Sequence, residues 1–190
     1  MGLAVGVFGG AFDPPHVGHV ELARRGIEHF GLDRLLVRVV EDPGHKEVDT
    51  APIVRQLLAE LAFAPLDEAE VGLDRCARTI DSLEALGLDD PVFLVGADEF
   101  AAFLEWKDPE RVLGLARLGV ATRPGVERGP MEAVLAELER PARVSFFEIE
   151  PLPVSSSDIR ARAAAGEPID ELVPAAVAAE IAGLALYCGR

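Results

Sequence analysis

Cysteine is scarce in this chain, tyrosine and tryptophan occur once each, and no long apolar run is present. Two cysteines, Cys76 and Cys188, are too few and too widely spaced for a metal site. A disulfide is not expected in a reducing compartment, so both read as buried or incidental thiols. No uninterrupted apolar stretch approaches the roughly 20 residues of a membrane span. Basic residues are outnumbered 18 to 33, which leaves a formal charge of −15. A broad polyanion-binding face needs clustered Lys and Arg, so nucleic acid is not expected as a partner. A small anionic substrate stays open, because a local pocket can be positive on an acidic protein. The first residues carry no basic leader and no cleavage pattern, and they run directly into a motif. They read as a strand and not a signal peptide, and a cytoplasmic location is the expectation. Internal repeats and low-complexity segments are also lacking.

What is present is an apolar fraction of 49% in 190 residues, enough for one substantial core. Apolar β-type runs at 3–8, 35–40, 69–73, 91–95, 118–122 and 143–149 alternate with helical patterns at 17–30, 53–64, 75–86, 131–139, 157–165 and 174–185. Gly87 closes the third of these helices. Such alternation predicts an α/β chain, a single domain over 1–190, with a parallel sheet covered on both faces. In that class ligands lie beyond the carboxyl ends of the strands, where strand order reverses. Residues 41–52 and 124–130 read as the connections able to move.

The first chemistry-bearing segment is Gly9-Gly10-Ala11-Phe12-Asp13-Pro14-Pro15-His16-Val17-Gly18-His19. It follows the first expected strand and opens the first helix. Gly9 and Gly10 allow close backbone approach and unusual dihedral angles. Asp13-Pro14-Pro15 forces a turn and delays the helix until after Pro15. His16 and His19, three apart, share a face at the helix N-terminus, where free N–H groups and the helix dipole favour phosphate. A zinc site would need further ligands, and none follows at suitable spacing. A second segment, Val154-Ser155-Ser156-Ser157-Asp158-Ile159-Arg160, pairs Ser155 and Asp158 in a variant capping pattern. Ser156 or Ser157 could also cap, and Arg160 adds a positive fork.

GGAFDPPHVGH resembles the signature of the HxGH nucleotidyltransferases, which adenylylate or cytidylylate phosphate-bearing acceptors. VSSSDIR is similar to the element that completes their ATP phosphate site. The resemblance implies a Rossmann-like doubly wound parallel sheet and places triphosphate contacts on His16, His19, Ser156, Ser157 and Arg160. It extends the ATP site to Gly9, Gly10, Ala11, Phe12, Gly18, Gly96 and Asp98, and it has residues 154–190 complete that site. Arg162 lies off the motif face and is expected in solvent.

Three central segments narrow the likeness. Phe93-Leu94-Val95-Gly96-Ala97-Asp98 reads as a strand that ends in a small-residue turn and a carboxylate; Asp98 could instead be a helix N-cap. Trp106-Lys107-Asp108-Pro109 holds the only tryptophan, either a core anchor or a stacking surface for a heterocycle. Ala77-Arg78-Thr79-Ile80-Asp81 opens or lies within a helix. Together they look like bacterial nicotinate-nucleotide adenylyltransferase. The resemblance puts Trp106 and its neighbour Lys107, Thr79 with Arg78, and Asp98 beside a nicotinate mononucleotide acceptor. It also sends Lys46 toward phosphate from a mobile loop, as a fourth catalytic group with His16, His19 and Arg160. Mg²⁺ is implied as part of the ATP substrate, with no protein metal ligand, and the family leaves room for a homo-oligomer. Three positions depart from its pattern. Arg78 stands for the usual tyrosine, Ala11 for a hydroxyl residue, and the loop reads Pro43-Gly44-His45-Lys46 with one proline fewer. Nicotinamide mononucleotide and phosphopantetheine remain rival acceptors, and a non-catalytic nucleotide-binding regulator is the rival class.

Overall fold

A computed structural model describes residues 2–44, 48, 50–125 and 129–188. Among the described residues six strands build one sheet: β1 (Val5–Gly10), β2 (Arg34–Val40), β3 (Ala69–Asp74), β4 (Val92–Gly96), β5 (Arg117–Thr122) and β6 (Val144–Glu148). Every neighbouring pair is parallel, and the order is β3-β2-β1-β4-β5-β6. This is the Rossmann-like doubly wound order, in which the chain reverses direction across the sheet between β1 and β4.

Parallel strands need crossovers, and helices supply them on both faces. One face is covered by α1 (Val17–Phe30), α2 (Pro52–Phe63), α7 (Ser156–Ala164) and α8 (Ala175–Gly183). Their buried residues, among them Leu22, Leu58, Ile159 and Val177, pack on Phe8, Leu35, Val37, Val39 and Leu94. The other face carries α3 (Thr79–Leu86), α4 (Ala97–Ala101), α5 (Pro109–Leu115) and α6 (Gly129–Glu137). There Ile80, Leu83, Phe100, Val112 and Met131 meet Val7, Phe93, Val95 and Leu118. Near-continuous apolar strands are the signature of a sheet buried on both sides. Among the described residues no helix is long and apolar enough to cross a membrane.

Several sequence expectations need correction. The first strand runs to Gly10 instead of ending before the glycines. Gly9 and Gly10 sit in register with Arg38 and Val39 of β2. Their φ angles are not positive; the unusual dihedral falls on Phe12, with φ 50°. The third helix starts at Thr79 and not at 75, because Asp74 Oδ1 accepts the Cys76 N–H (2.9 Å) and holds a turn there. The short helices α4 and α5 were not anticipated. Of the two thiols read as buried or incidental, Cys76 is half-buried and Cys188 exposed, so the incidental reading is the one that applies. Of the connections expected to move, 45–47, 49 and 126–128 lie outside the described residues, and Gly129 already begins α6.

Candidate active site

The β1–α1 connection emerges where strand order reverses, and the geometry there starts with a helix cap. His16 is the N-cap of α1, with extended backbone (φ −139°, ψ 171°). Its Nδ1 accepts the backbone N–H of His19 (3.3 Å), and His19 Nδ1 accepts the backbone N–H of His16 (3.2 Å). The pair is a reciprocal capping box made of imidazoles in place of the usual hydroxyl and carboxylate. The rings stack with centroids 3.6 Å apart and planes 19° apart. Gly18 is required between them: a Cβ there would lie 3.1 Å from His16 Nδ1 and 3.2 Å from Val154 Cγ1.

This cap fixes the tautomers. A ring nitrogen that accepts a hydrogen bond cannot carry the proton, so both imidazoles hold it on Nε2. Burial, helped by the nearby Arg123 charge, lowers the His16 pKa to about 4. His16 is therefore a neutral donor at physiological pH. Phe12, buried in its left-handed conformation, sets its ring edge against His19 (5.1 Å) and backs the pair. A Cβ at Gly10 would lie 3.0 Å from the Phe12 ring, so this turn and its glycine depend on each other.

The second motif docks on the first. Ser155 caps α7 by accepting the Asp158 N–H (3.1 Å). Ser156 Oγ donates to the Pro14 carbonyl (2.9 Å), and Arg160 donates to the Asp13 carbonyl (2.7 Å). Two helix N-termini and an arginine thus converge on one loop, while Arg162 is exposed as expected. Ser157 is exposed beside Ser155, with their hydroxyls 3.0 Å apart.

On the opposite face of the sheet Thr79 opens α3, and Arg78 precedes it as an exposed cap with no side-chain capping bond. Lys107 pairs with Asp81 in the first turn of α3 (2.9 Å) and so tethers the Trp106 segment to that helix. Trp106 is half-buried, its ring edge-on to Phe103 (5.2 Å) and Phe93 (6.1 Å). Gly96 caps α4, and Asp98 is exposed in its first turn instead of being the cap. Ala11 contributes its carbonyl as an acceptor for Arg55. Lys46 lies outside the described residues.

Four residues escaped the sequence reading. Arg55 is fully buried and donates to the carbonyls of Ala11, Val40, Glu41 and Thr50 at 2.7–3.0 Å, which pins the ends of β1 and β2 together. Its signal was an arginine in helical register with Leu58, Ala59 and Ala62 on a buried face. Arg123 follows the end of β5, where the rule for open parallel sheets places ligands. Asp13 is buried, and its Oδ1 accepts the hydroxyl of Tyr187 (2.6 Å). That contact spans almost the whole chain, and no local pattern announces it.

Residues 7–162 match the model of the cytidylyltransferase-like family. A Chromobacterium violaceum protein named "Probable nicotinate-nucleotide adenylyltransferase" is 33% identical, over 98% of this chain and 100% of its own length. A Bordetella pertussis protein of the same name is 34% identical over 96% and 97%. Among solved structures, a Plasmodium falciparum nicotinic acid mononucleotide adenylyltransferase complexed with NaAD superposes with a TM-score of 0.77 over 98% of both chains. Its identity is 16%, so that likeness speaks for the fold alone. Full-length identity at this level, on a chain that caps its first helix with the HxGH histidines, makes this protein a member of the cytidylyltransferase-like family and, within it, of the nicotinate-nucleotide adenylyltransferases.

Proposed function

We propose that this chain transfers the adenylyl group of ATP to nicotinate mononucleotide, giving deamido-NAD and pyrophosphate, as a cytoplasmic step of NAD biosynthesis. The observation that carries the reading is the reciprocal His16–His19 cap at the head of α1, with Arg160 and Ser156 of α7 closing over the same loop. That arrangement presents oriented N–H donors and positive charge together beyond β1, which suits a triphosphate.

The chemistry asks little of the protein beyond alignment. A phosphate monoester has its second pKa at about 6, so the acceptor is already a nucleophilic dianion at neutral pH and needs no side-chain base. Attack on the α-phosphorus builds charge on equatorial oxygens while pyrophosphate leaves. His16 and His19 offer Nε2–H donors to that charge, and their shared cap prevents reorientation. Arg160 and Arg123 supply the positive field that a neutral His16 does not. Mg²⁺ would come in as part of the ATP substrate, where it would supply charge neutralisation for the leaving pyrophosphate. Beside the Asp13 carboxylate, which accepts from Tyr187, the described groups around the loop are imidazoles, guanidinium groups, hydroxyls and backbone N–H, donors that suit a phosphate. On the other face, Thr79, Trp106, Lys107 and Asp98 flank the space for the acceptor, with Trp106 offering a flat partner to its ring.

The deciding experiment is pyrophosphate release from Mg·ATP with nicotinate mononucleotide, nicotinamide mononucleotide and phosphopantetheine as acceptors. Fastest turnover with the nicotinate compound is expected. Turnover confined to phosphopantetheine would reassign the acceptor, and no release with any of the three would make the chain a nucleotide-binding protein without this activity.

A further inference from the structure

Arg38 takes no part in the site as described, yet its position is unusual. On β2, Leu35, Val37 and Val39 face the α1 and α2 side, so Arg38 faces the other. That is the face of Phe93, α3 and Trp106, the acceptor side. Across the ladder Arg38 stands level with Gly9 of β1 and Gly72 of β3. Neither neighbour has a side chain, so the guanidinium lies on bare backbone. A Cβ at Gly72 would be 2.9 Å from one of its terminal nitrogens. The other terminal nitrogen donates to the Leu73 carbonyl.

The donors of this group are under-used. Its Nε is buried with no hydrogen-bond partner among the described residues. No carboxylate among the described residues pairs with it. Asp74, on the same face of β3, already accepts from the Cys76 N–H and the Ser82 hydroxyl. A half-buried guanidinium that no described carboxylate hydrogen-bonds, and an unmatched buried donor, ask for a reason. An incoming anion at the terminal nitrogens would supply the charge-assisted contact that no described carboxylate makes.

We propose that Arg38 is the residue that selects the acid form of the acceptor by receiving the carboxylate on its pyridine ring; this rests on the adenylyl-transfer reading above. The acceptor phosphate must lie at the head of α1, beyond the gap between β1 and β4, to meet ATP. The guanidinium leans toward β3, about two strand spacings away, on the order of 10 Å. A ribose and a pyridine ring laid end to end bridge such a gap, so the group that reaches Arg38 is the ring substituent and not the phosphate. The amide leaves the cation unmatched. Arg78, the cation that the resemblance puts beside the acceptor, is exposed.

The test is kcat/KM for nicotinate and nicotinamide mononucleotides at saturating Mg·ATP in wild type, Arg38→Met, Arg38→Lys and Gly72→Ala, with thermal melts as a folding check. Arg38→Met is expected to lower the acid-to-amide ratio by at least about tenfold, the scale of one charge-assisted hydrogen bond. The loss should appear in the KM for the acid, with the KM for Mg·ATP where it was. Arg38→Lys should keep part of the preference, and Gly72→Ala, which pushes the guanidinium aside with its charge intact, should lose part. A folded Arg38→Met with an unchanged ratio overturns the proposal. If Arg38→Met does not fold, unchanged ratios in the other two variants overturn it equally. Should wild type adenylylate neither compound, the reaction reading fails by itself. Calorimetric titration of nicotinate mononucleotide then decides the arginine: weaker binding to an Arg38 variant supports it, and equal or absent binding overturns it.

Discussion

His16 is kept uncharged by the same burial that lets it cap a helix, and the two properties can be separated. Its pKa is about 4 in the folded protein against 6.5 for a free histidine. Between those values the unfolded chain holds a proton that the folded chain does not. Stability therefore rises with pH across the window from 4 to 6.5 and is lost as pH falls through it. One group with this shift contributes ~3 kcal/mol at most. His16→Asn retains an N-cap acceptor, since asparagine is a favoured cap, but cannot titrate. Urea unfolding across that window should show a visibly shallower rise for the variant. Parallel curves for variant and wild type would refute the assignment of a depressed pKa to this side chain.

Among the elements, α1 was legible because every cue agreed. The prolines delay its start, the apolar face repeats at helical spacing, and Gly31 ends it in a left-handed conformation (φ 58°). The buried strands were legible for the same reason. The short helices α4 and α5 were not, because five and seven residues hold too few turns for periodicity to speak. What holds them is burial of Phe100, Val112 and Leu113, a tertiary fact. Local propensity also misleads at Gly26, inside α1. Alanine is the better helix former by ~1 kcal/mol, so a local reading forecasts stabilisation by Gly26→Ala. A Cβ there, however, would lie 2.5 Å from Leu94 Cδ1 and 3.0 Å from Cδ2. Leu94 is fully buried and has no free side to retreat to, since its Cδ2 also lies 2.9 Å from where a Cβ on Gly119 would stand. Overpacking should win, with Gly26→Ala losing about 1–3 kcal/mol of unfolding free energy in chemical denaturation. A variant as stable as wild type, or more so, would mean that α1 can slide away from β4.

On the scale of the whole molecule, both phosphate motifs were readable as separate strings, whereas the bonds that join them were not. Arg160 reaches the carbonyl of Asp13, Ser156 reaches that of Pro14, and Tyr187 reaches the carboxylate of Asp13, across separations of 142–174 residues. Only the fold brings such partners together. The Tyr187 contact is the one whose removal is cleanest. The chain delivers that ring through two left-handed non-glycine residues, Ala185 (φ 50°) and Tyr187 itself (φ 61°), a conformation that costs roughly 1–2 kcal/mol per residue. Burial, with the hydrogen bond to Asp13, pushes the phenol pKa up, so Tyr187 stays a proton donor at any pH at which the protein works. Asp13 Oδ2 has no partner, so the phenol is the one group that satisfies its carboxylate among the described residues. Tyr187→Phe keeps the ring and its packing, and it leaves both carboxylate oxygens of a buried Asp unmatched. The expected cost is about 1–3 kcal/mol in urea unfolding, the range for a stranded buried acceptor. Because the Asp13 carbonyl also holds Arg160, the KM for ATP should rise in the same variant while acceptor KM changes less. Unchanged unfolding midpoints would show that water replaces the phenol without penalty. A stability loss with an unchanged KM for ATP would show that the Asp13 loop keeps Arg160 in place without Tyr187.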